Sequence, residues 1–249
     1  MLDDRDTARL NRLATDARAA LGQNLRALVL YGEAASPAYR PDQTPLTTVL
    51  LVDVVQSDLL RRLLPVTARS RRQGLPVPLV FDEAHLRTSR DVFPLELLAI
   101  HDQHLAVWGD SDPFAASPIA QDNLECLRLE VEEHLKGKLL HLRQAYLEAR
   151  GRKRVLRAML LDAVIGFEIV LRGLLCLAGH PRPTDAAELV RAAAQACGVD
   201  LPALAQIREG RVRGTLPLSD VPTIFERTLE EVAALAQAAD RFFKTRDHP

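Results

Sequence analysis

With 249 residues the chain is long enough for one large or two modest hydrophobic cores, and two is the preferred division. A hydrophobic fraction of 47% with 26% charged residues excludes the disordered and fibrous classes, and a formal net charge of −1 disfavours a protein that coats nucleic acid, leaving room only for local basic patches. The three cysteines, Cys126, Cys176 and Cys197, are widely spaced and make no C-x-x-C, so they read as reduced thiols rather than as a disulfide or metal framework.

The N-terminal stretch MLDDRDTARLNRL is acidic and amphipathic and has no apolar signal-peptide core. No later segment offers about 18 uncharged apolar residues, so a cytoplasmic, non-membrane protein is expected. Arg and Ala far outnumber Lys, a bias that indicates a GC-rich bacterial genome. Leu10, Leu13, Ala17 and Leu21 share one helical face over 4–21, with Gly22 as the stop. LRALVLYG then reads as a strand stopped by Gly32, and TTVLLVD as a second strand, entered through Pro45 and closed by Asp53. Ser57 opens a helix to about Gln73, with Leu59, Leu60, Leu63, Leu64 and Val66 inward, Pro65 disturbing it and Gly74 ending it. A third short strand is expected at 76–81, and DEAHLRTS as a turn with room for one helical turn at its start.

The next stretch, DVFPLELLAIHDQHLAVWGD, is apolar, with Pro94 near its front and Gly109 at its end. Asp91 and Glu96 read either as a carboxylate that meets a ligand or as a cap and an edge charge. His101 and His104 form an H-x-x-H that could bind metal from a loop; a solvated turn is the preferred reading. Two prolines and small polar residues mark 111–122 as a linker, so the expected domains are 1–116 and 117–249.

Beyond it the period turns helical. Leu124, Leu127, Val131, Leu135, Leu139, Leu142 and Tyr146 keep a three-four spacing over 123–149, a rod roughly 40 Å long. The helix 153–178 is apolar nearly all round, which places it at the centre of a bundle, and Glu168 and Arg172 on it are spaced to pair at i, i+4. Further helices are expected over 184–197, 201–209 and 222–243. The basic run RGRKRVLR supplies the candidate anion contacts Arg150, Arg152, Lys153 and Arg154.

The strand–glycine–strand opening resembles the nucleotidyltransferase fold, in which a strand ends in Gly-Ser, a short helix follows, and the next strand carries Asp-x-Asp. DVFPLE followed by AVWGD is similar to a Phe-Pro-x-Glu segment in bacterial proteins of that type. The resemblance implies an α+β fold: a mixed sheet with flanking helices followed by an antiparallel helical bundle, as in aminoglycoside-type nucleotidyltransferases and nucleotidyltransferase–HEPN pairs. Arg128 and His134 match the Arg-then-His spacing of HEPN ribonucleases, although the carboxylates around them would repel RNA.

Carried onto this sequence, the family's nucleotide site falls on Gly32, Glu33, Thr47 and Val49. Side chains at i and i+2 of a strand share a face, which is why two aspartates there can share Mg²⁺. Here Thr47 and Val49 occupy those positions, and Glu33 stands where the family has Ser, placing negative charge where a phosphate would approach. Pro37 removes one more loop N–H. Asp53 shares the face but lies roughly 13 Å beyond Val49.

The expectation is a catalytically degenerate binding or interaction module, with no catalytic residue, no metal site and no cofactor. Its partners would be a nucleotide or small-molecule ligand and a second copy through the bundle; nucleic acid and membrane are disfavoured. The alternatives are an active Mg²⁺-dependent transferase with Glu33 as a rewired ligand, or a HEPN-type component acting on RNA or within a toxin–antitoxin pair.

Overall fold

A computed structural model describes residues 2–109, 112–119 and 123–244, the last four by backbone alone. In chain order the elements are α1 (Asp4–Leu21), β1 (Leu25–Tyr31), β2 (Thr48–Val52), α2 (Ser57–Arg72), β3 (Leu79–Asp82), α3 (Glu83–Thr88), α4 (Pro94–Asp102) and β4 (His104–Gly109). They are followed by α5 (Leu124–Ala149), α6 (Lys153–Leu177), α7 (Ala186–Cys197), α8 (Pro202–Arg213) and α9 (Val221–Lys244). The chain divides into two compact units, one of Met1–Val92 with Leu97–Ile119 and one of Phe93–Glu96 with Ala120–Pro249. The first turn of α4 therefore belongs to the helical unit. Of the expected linker, residues 112–119 are described; 111 and 120–122 lie outside the described residues.

In the first unit the sheet order is β3-β2-β1-β4. β1 runs antiparallel to both β2 and β4, while β2 and β3 are parallel and joined through α2. Both faces are covered, which explains why the strands read as continuous apolar runs instead of alternating ones. Leu28, Leu30, Leu50 and Val52 pack against Leu10, Leu13 and Ala17 of α1 and Leu59 and Leu63 of α2. On the opposite face Ala27, Val29, Val49 and Leu51 meet Leu97, Ile100 and Phe114.

Several boundaries differ from expectation. β3 starts three residues late, and its last residue, Asp82, caps α3 by accepting from the His85 N–H at 2.7 Å, so the helical turn expected within DEAHLRTS extends over Glu83–Thr88. α2 runs through Pro65 without stopping, and Leu60 and Leu64 on it are exposed. The H-D-Q-H segment is not one loop: His101 lies in the last turn of α4, which ends at Asp102, and His104 opens β4.

In the helical unit α6 packs against α5, α7, α8 and α9. Its second half meets the expectation of a central helix, since Val170, Leu171, Leu174 and Leu175 are all buried, whereas Val155 near its start is exposed. Buried Glu168 forms an ion pair with buried Arg208 of α8 at 3.2 Å, a partner that i, i+4 spacing does not reveal. Glu231 of α9 caps α8 by accepting from the N–H groups of Ala203 and Leu204 at 2.6 and 3.0 Å. α8 also extends to Arg213, beyond the expected end at residue 209. Cys126, Cys176 and Cys197 are thiols, and no disulfide occurs among the described residues. Among those residues no helix is long and apolar enough to cross a membrane.

Candidate functional site

Of the residues expected to form a nucleotide site, Gly32 and Thr47 lie close together at one end of the β1–β2 pair. Gly32 leaves β1 with φ +77, a left-handed conformation that glycine adopts without steric cost, and a Cβ placed on it would sit 3.6 Å from the Thr47 hydroxyl. Its N–H donates to the carbonyl of Gln103 at 2.8 Å. Gly32–Ala35 form a single 3₁₀ turn containing Glu33, which is half-buried.

The loop's own hydrogen bonds leave few donors for a phosphate. The Ser36 N–H donates to the Glu33 carbonyl at 3.2 Å, the Ala38 N–H to the Ser36 hydroxyl at 3.1 Å and the Tyr39 N–H to the Ser36 carbonyl at 3.2 Å. Pro37 has no N–H to give. A phosphate cradle needs several backbone N–H groups aimed outward together.

The side chains across from this turn are equally committed. The Thr47 hydroxyl donates to the Tyr31 carbonyl at 2.7 Å, so it closes the strand pair. Val49 is 0% exposed and sits in the apolar layer with Val29, Leu51 and Phe114. Period-two alternation does put Thr47 and Val49 on one face, but that face is a packed core at Val49. Asp53, further along the strand, forms an ion pair with Arg26.

The loop is anchored beneath by a buried polar trio. Tyr39 donates its hydroxyl to Asp6 at 2.6 Å, and Arg9 pairs with the same carboxylate at 2.6 Å. Burial raises the Asp6 pKa, but the hydrogen bonds from Tyr39 and Arg9 outweigh it and hold the carboxyl below its usual range. Burial, and then the hydrogen bond to Asp6, pushes Tyr39 up to about 12.

No family model and no curated protein matches this sequence. Among solved structures it is similar to the spectinomycin adenyltransferase AAD(9) from Enterococcus faecialis, determined with ATP and spectinomycin, with a TM-score of 0.54 and 10% identity. The alignment covers 91% of this chain and 98% of that one. The fold is nucleotidyltransferase-like. At that identity the likeness speaks for architecture, a mixed sheet followed by helices, and not for chemistry.

The other sequence candidates separate. His101 and His104 are not a metal pair: His101 Nδ1 lies 2.7 Å from the Phe114 carbonyl, and His104 bridges the His101 carbonyl and Asp112, both at 2.8 Å. In the basic run, Arg152 donates to the carbonyls of Ala149 and Glu148 at 3.0 and 3.4 Å, capping α5 instead of facing an anion. Arg150 adopts a left-handed conformation at the end of α5 and lines a surface groove with Leu147, Glu148 and Arg152. Lys153 and Arg154 are exposed at the start of α6. Arg128 is held by Glu125 at 2.5 Å and by Glu132 at 3.1 Å.

One group was missed. Glu96 in the first turn of α4 meets Glu130 and His134 of α5, all within the helical unit. Glu130 accepts from the Leu95 N–H at 2.8 Å, and His134 Nε2 lies 4.0 Å from a Glu96 oxygen. Burial, then the hydrogen bond shared with Glu96, pushes Glu130 up to about 8. The i, i+4 spacing of Glu130 and His134 was visible in the sequence as a shared helix face; nothing local pointed to Glu96 as the third member.

Proposed function

We propose that this protein is a nucleotidyltransferase-fold binding module without a metal-dependent transfer centre, engaging a nucleotide or small polar ligand without turning it over. The observation that carries the proposal is Val49, a wholly buried core residue standing where the family resemblance calls for a metal-binding carboxylate. Mg²⁺ is held through carboxylates and substrate phosphates. Thr47, whose hydroxyl serves the Tyr31 carbonyl, does not replace them.

Supporting the absence of turnover is the loop itself, whose N–H groups at Gly32, Ser36, Ala38 and Tyr39 serve internal acceptors. That the similar adenyltransferase was determined with ATP and a small molecule makes a nucleotide the first ligand to try. A cytoplasmic setting and a second copy as partner belong to the same proposal. A ribonuclease role for the helical unit is not adopted, because Arg128 lies between Glu125 and Glu132, whose charges repel RNA phosphates.

The test is incubation of the full chain with each ribonucleoside triphosphate, with and without Mg²⁺, while reading melting temperature and pyrophosphate release. The expected result is no pyrophosphate and no Mg²⁺-dependent shift. A ligand at 100 times its Kd adds about 2.7 kcal/mol, so a metal-assisted complex would be plain to see. A Mg²⁺-dependent response that disappears in Glu33→Ala would replace this proposal with a rewired transferase.

A further inference from the structure

We propose that Glu96, Glu130 and His134 form a binding site for a first-row divalent transition ion, of which Zn²⁺ is the best match. Their three candidate ligand atoms lie within 4.8 Å of one another. Around a tetrahedral ion with bonds of about 2.1 Å, ligand atoms stand roughly 3.4 Å apart, so closing the site needs a contraction of up to about 1.4 Å. Torsions of the side chains supply it, since those of His134 and Glu96 are 34% and 48% exposed.

The donor set selects the ion. Two carboxylates alone would suit Mg²⁺ or Ca²⁺, but the imidazole shifts preference to Zn²⁺ and its neighbours in the series. Three protein ligands leave at least one position for water or a ligand group, the pattern of open rather than structural sites.

Two features make this more than neighbouring charges. The Leu95 N–H donates to Glu130 Oε2 at 2.8 Å, the kind of outer hydrogen bond that orients a ligating carboxylate. Leu95 in turn is seated against Gly173 of α6, where a Cβ would lie 2.7 Å from its Cδ1, so the α4 turn bearing Glu96 is held in place by packing.

The experiment uses the full chain, stripped with chelator and dialysed against Zn²⁺, Co²⁺ or Mg²⁺. One Zn²⁺ or Co²⁺ per chain is expected, with no stoichiometric retention of Mg²⁺. The Co²⁺ complex should show visible d–d absorption without a thiolate charge-transfer band. His134→Ala and Glu96→Gln, both at partly exposed positions, should each weaken binding at least tenfold, the lower bound seen even for outer-shell partners. Glu133→Gln, beside the site on α5, should leave affinity unchanged. A wild-type chain that retains no Zn²⁺ would mean that Glu130 merely caps α4. Equal binding by wild type and His134→Ala, or a thiolate band with Co²⁺, would likewise overturn the site. None of these outcomes depends on whether the chain binds a nucleotide.

Discussion

Val49→Asp tests the central claim about the first unit, that the position the resemblance matches to a metal-binding carboxylate is core. The valine side chain is fully buried among Ala27, Val29, Leu51, Leu97, Ile100 and Phe114. Replacing it forfeits about 1.5–3 kcal/mol of apolar burial. The introduced carboxyl then costs about 1–3 kcal/mol if it takes a proton and leaves its hydrogen bonds unmade, and more if it stays charged. A total of about 2.5–6 kcal/mol is a large part of the 5–15 kcal/mol that typically holds a domain folded. The melting temperature should fall by more than about 10 °C at pH 7. Val49→Ala supplies the comparison, since it removes the same packing without adding a charge. The buried Asp would have a raised pKa, so its penalty grows as pH rises above its unfolded value of about 3.9; the gap from wild type should narrow towards pH 4. Thermal unfolding followed by circular dichroism reads all three proteins. If Val49→Asp is no less stable than Val49→Ala at pH 7, its carboxylate reaches water, the face is open to an ion, and the account of a filled-in site is wrong.

Tyr39→Phe removes the hydroxyl that donates to buried Asp6 and should cost about 1.5–3 kcal/mol near neutral pH. Because the folded Asp6 pKa lies below its usual 3.8, this stability is present above that value and lost as pH falls through the lower folded value; urea titrations should show the deficit shrinking only in acid. Gly173→Ala would place a Cβ 2.5 Å from Val131 Cγ2 and 2.7 Å from Leu95 Cδ1, so an overpacking cost of about 1–3 kcal/mol should offset or exceed the helix-propensity gain of about 1 kcal/mol. A clearly stabilised variant would show that Leu95 is not seated there. Limited proteolysis should cut first within 111–122, where the sequence carries two prolines and the contact-defined units part after Ile119; first cuts inside α5 would argue against a domain boundary near residue 116.

Regular periodicity was the legible part of the sequence. The Leu10, Leu13, Ala17 spacing marked α1 to the residue, and the continuous apolar runs of β1 and β2 announced strands covered on both faces. The α+β order followed from the change of period after β4. Illegible features depended on partners distant in sequence. Nothing within one turn of Glu168 announces Arg208, which reaches it from α8. The histidines of H-D-Q-H looked like a loop pair because an apolar run with one proline does not reveal where α4 yields to β4. At the candidate nucleotide site the sequence showed Thr47 and Val49 in place of carboxylates, but only packing shows that Val49 is core and that the Thr47 hydroxyl serves the Tyr31 carbonyl.

These differences bear on where chemistry could reside in this chain. A dication site requires facing carboxylates whose repulsion is tolerated until the ion arrives. At the end of β1 and β2 that requirement is unmet: the facing side chains are a threonine bonded to the backbone and a buried valine. In the helical unit the geometry offers one, because Glu96 and Glu130 lie close together with His134 beside them. The two tests therefore separate the functions of the two units. Zn²⁺ uptake without any Mg²⁺–nucleotide response would place the metal chemistry of this protein in its helices, with the sheet unit retained as a scaffold or ligand holder. A Mg²⁺–nucleotide response without Zn²⁺ uptake would reverse that assignment, making Glu33 the residue to pursue and leaving Glu130 as the cap of α4.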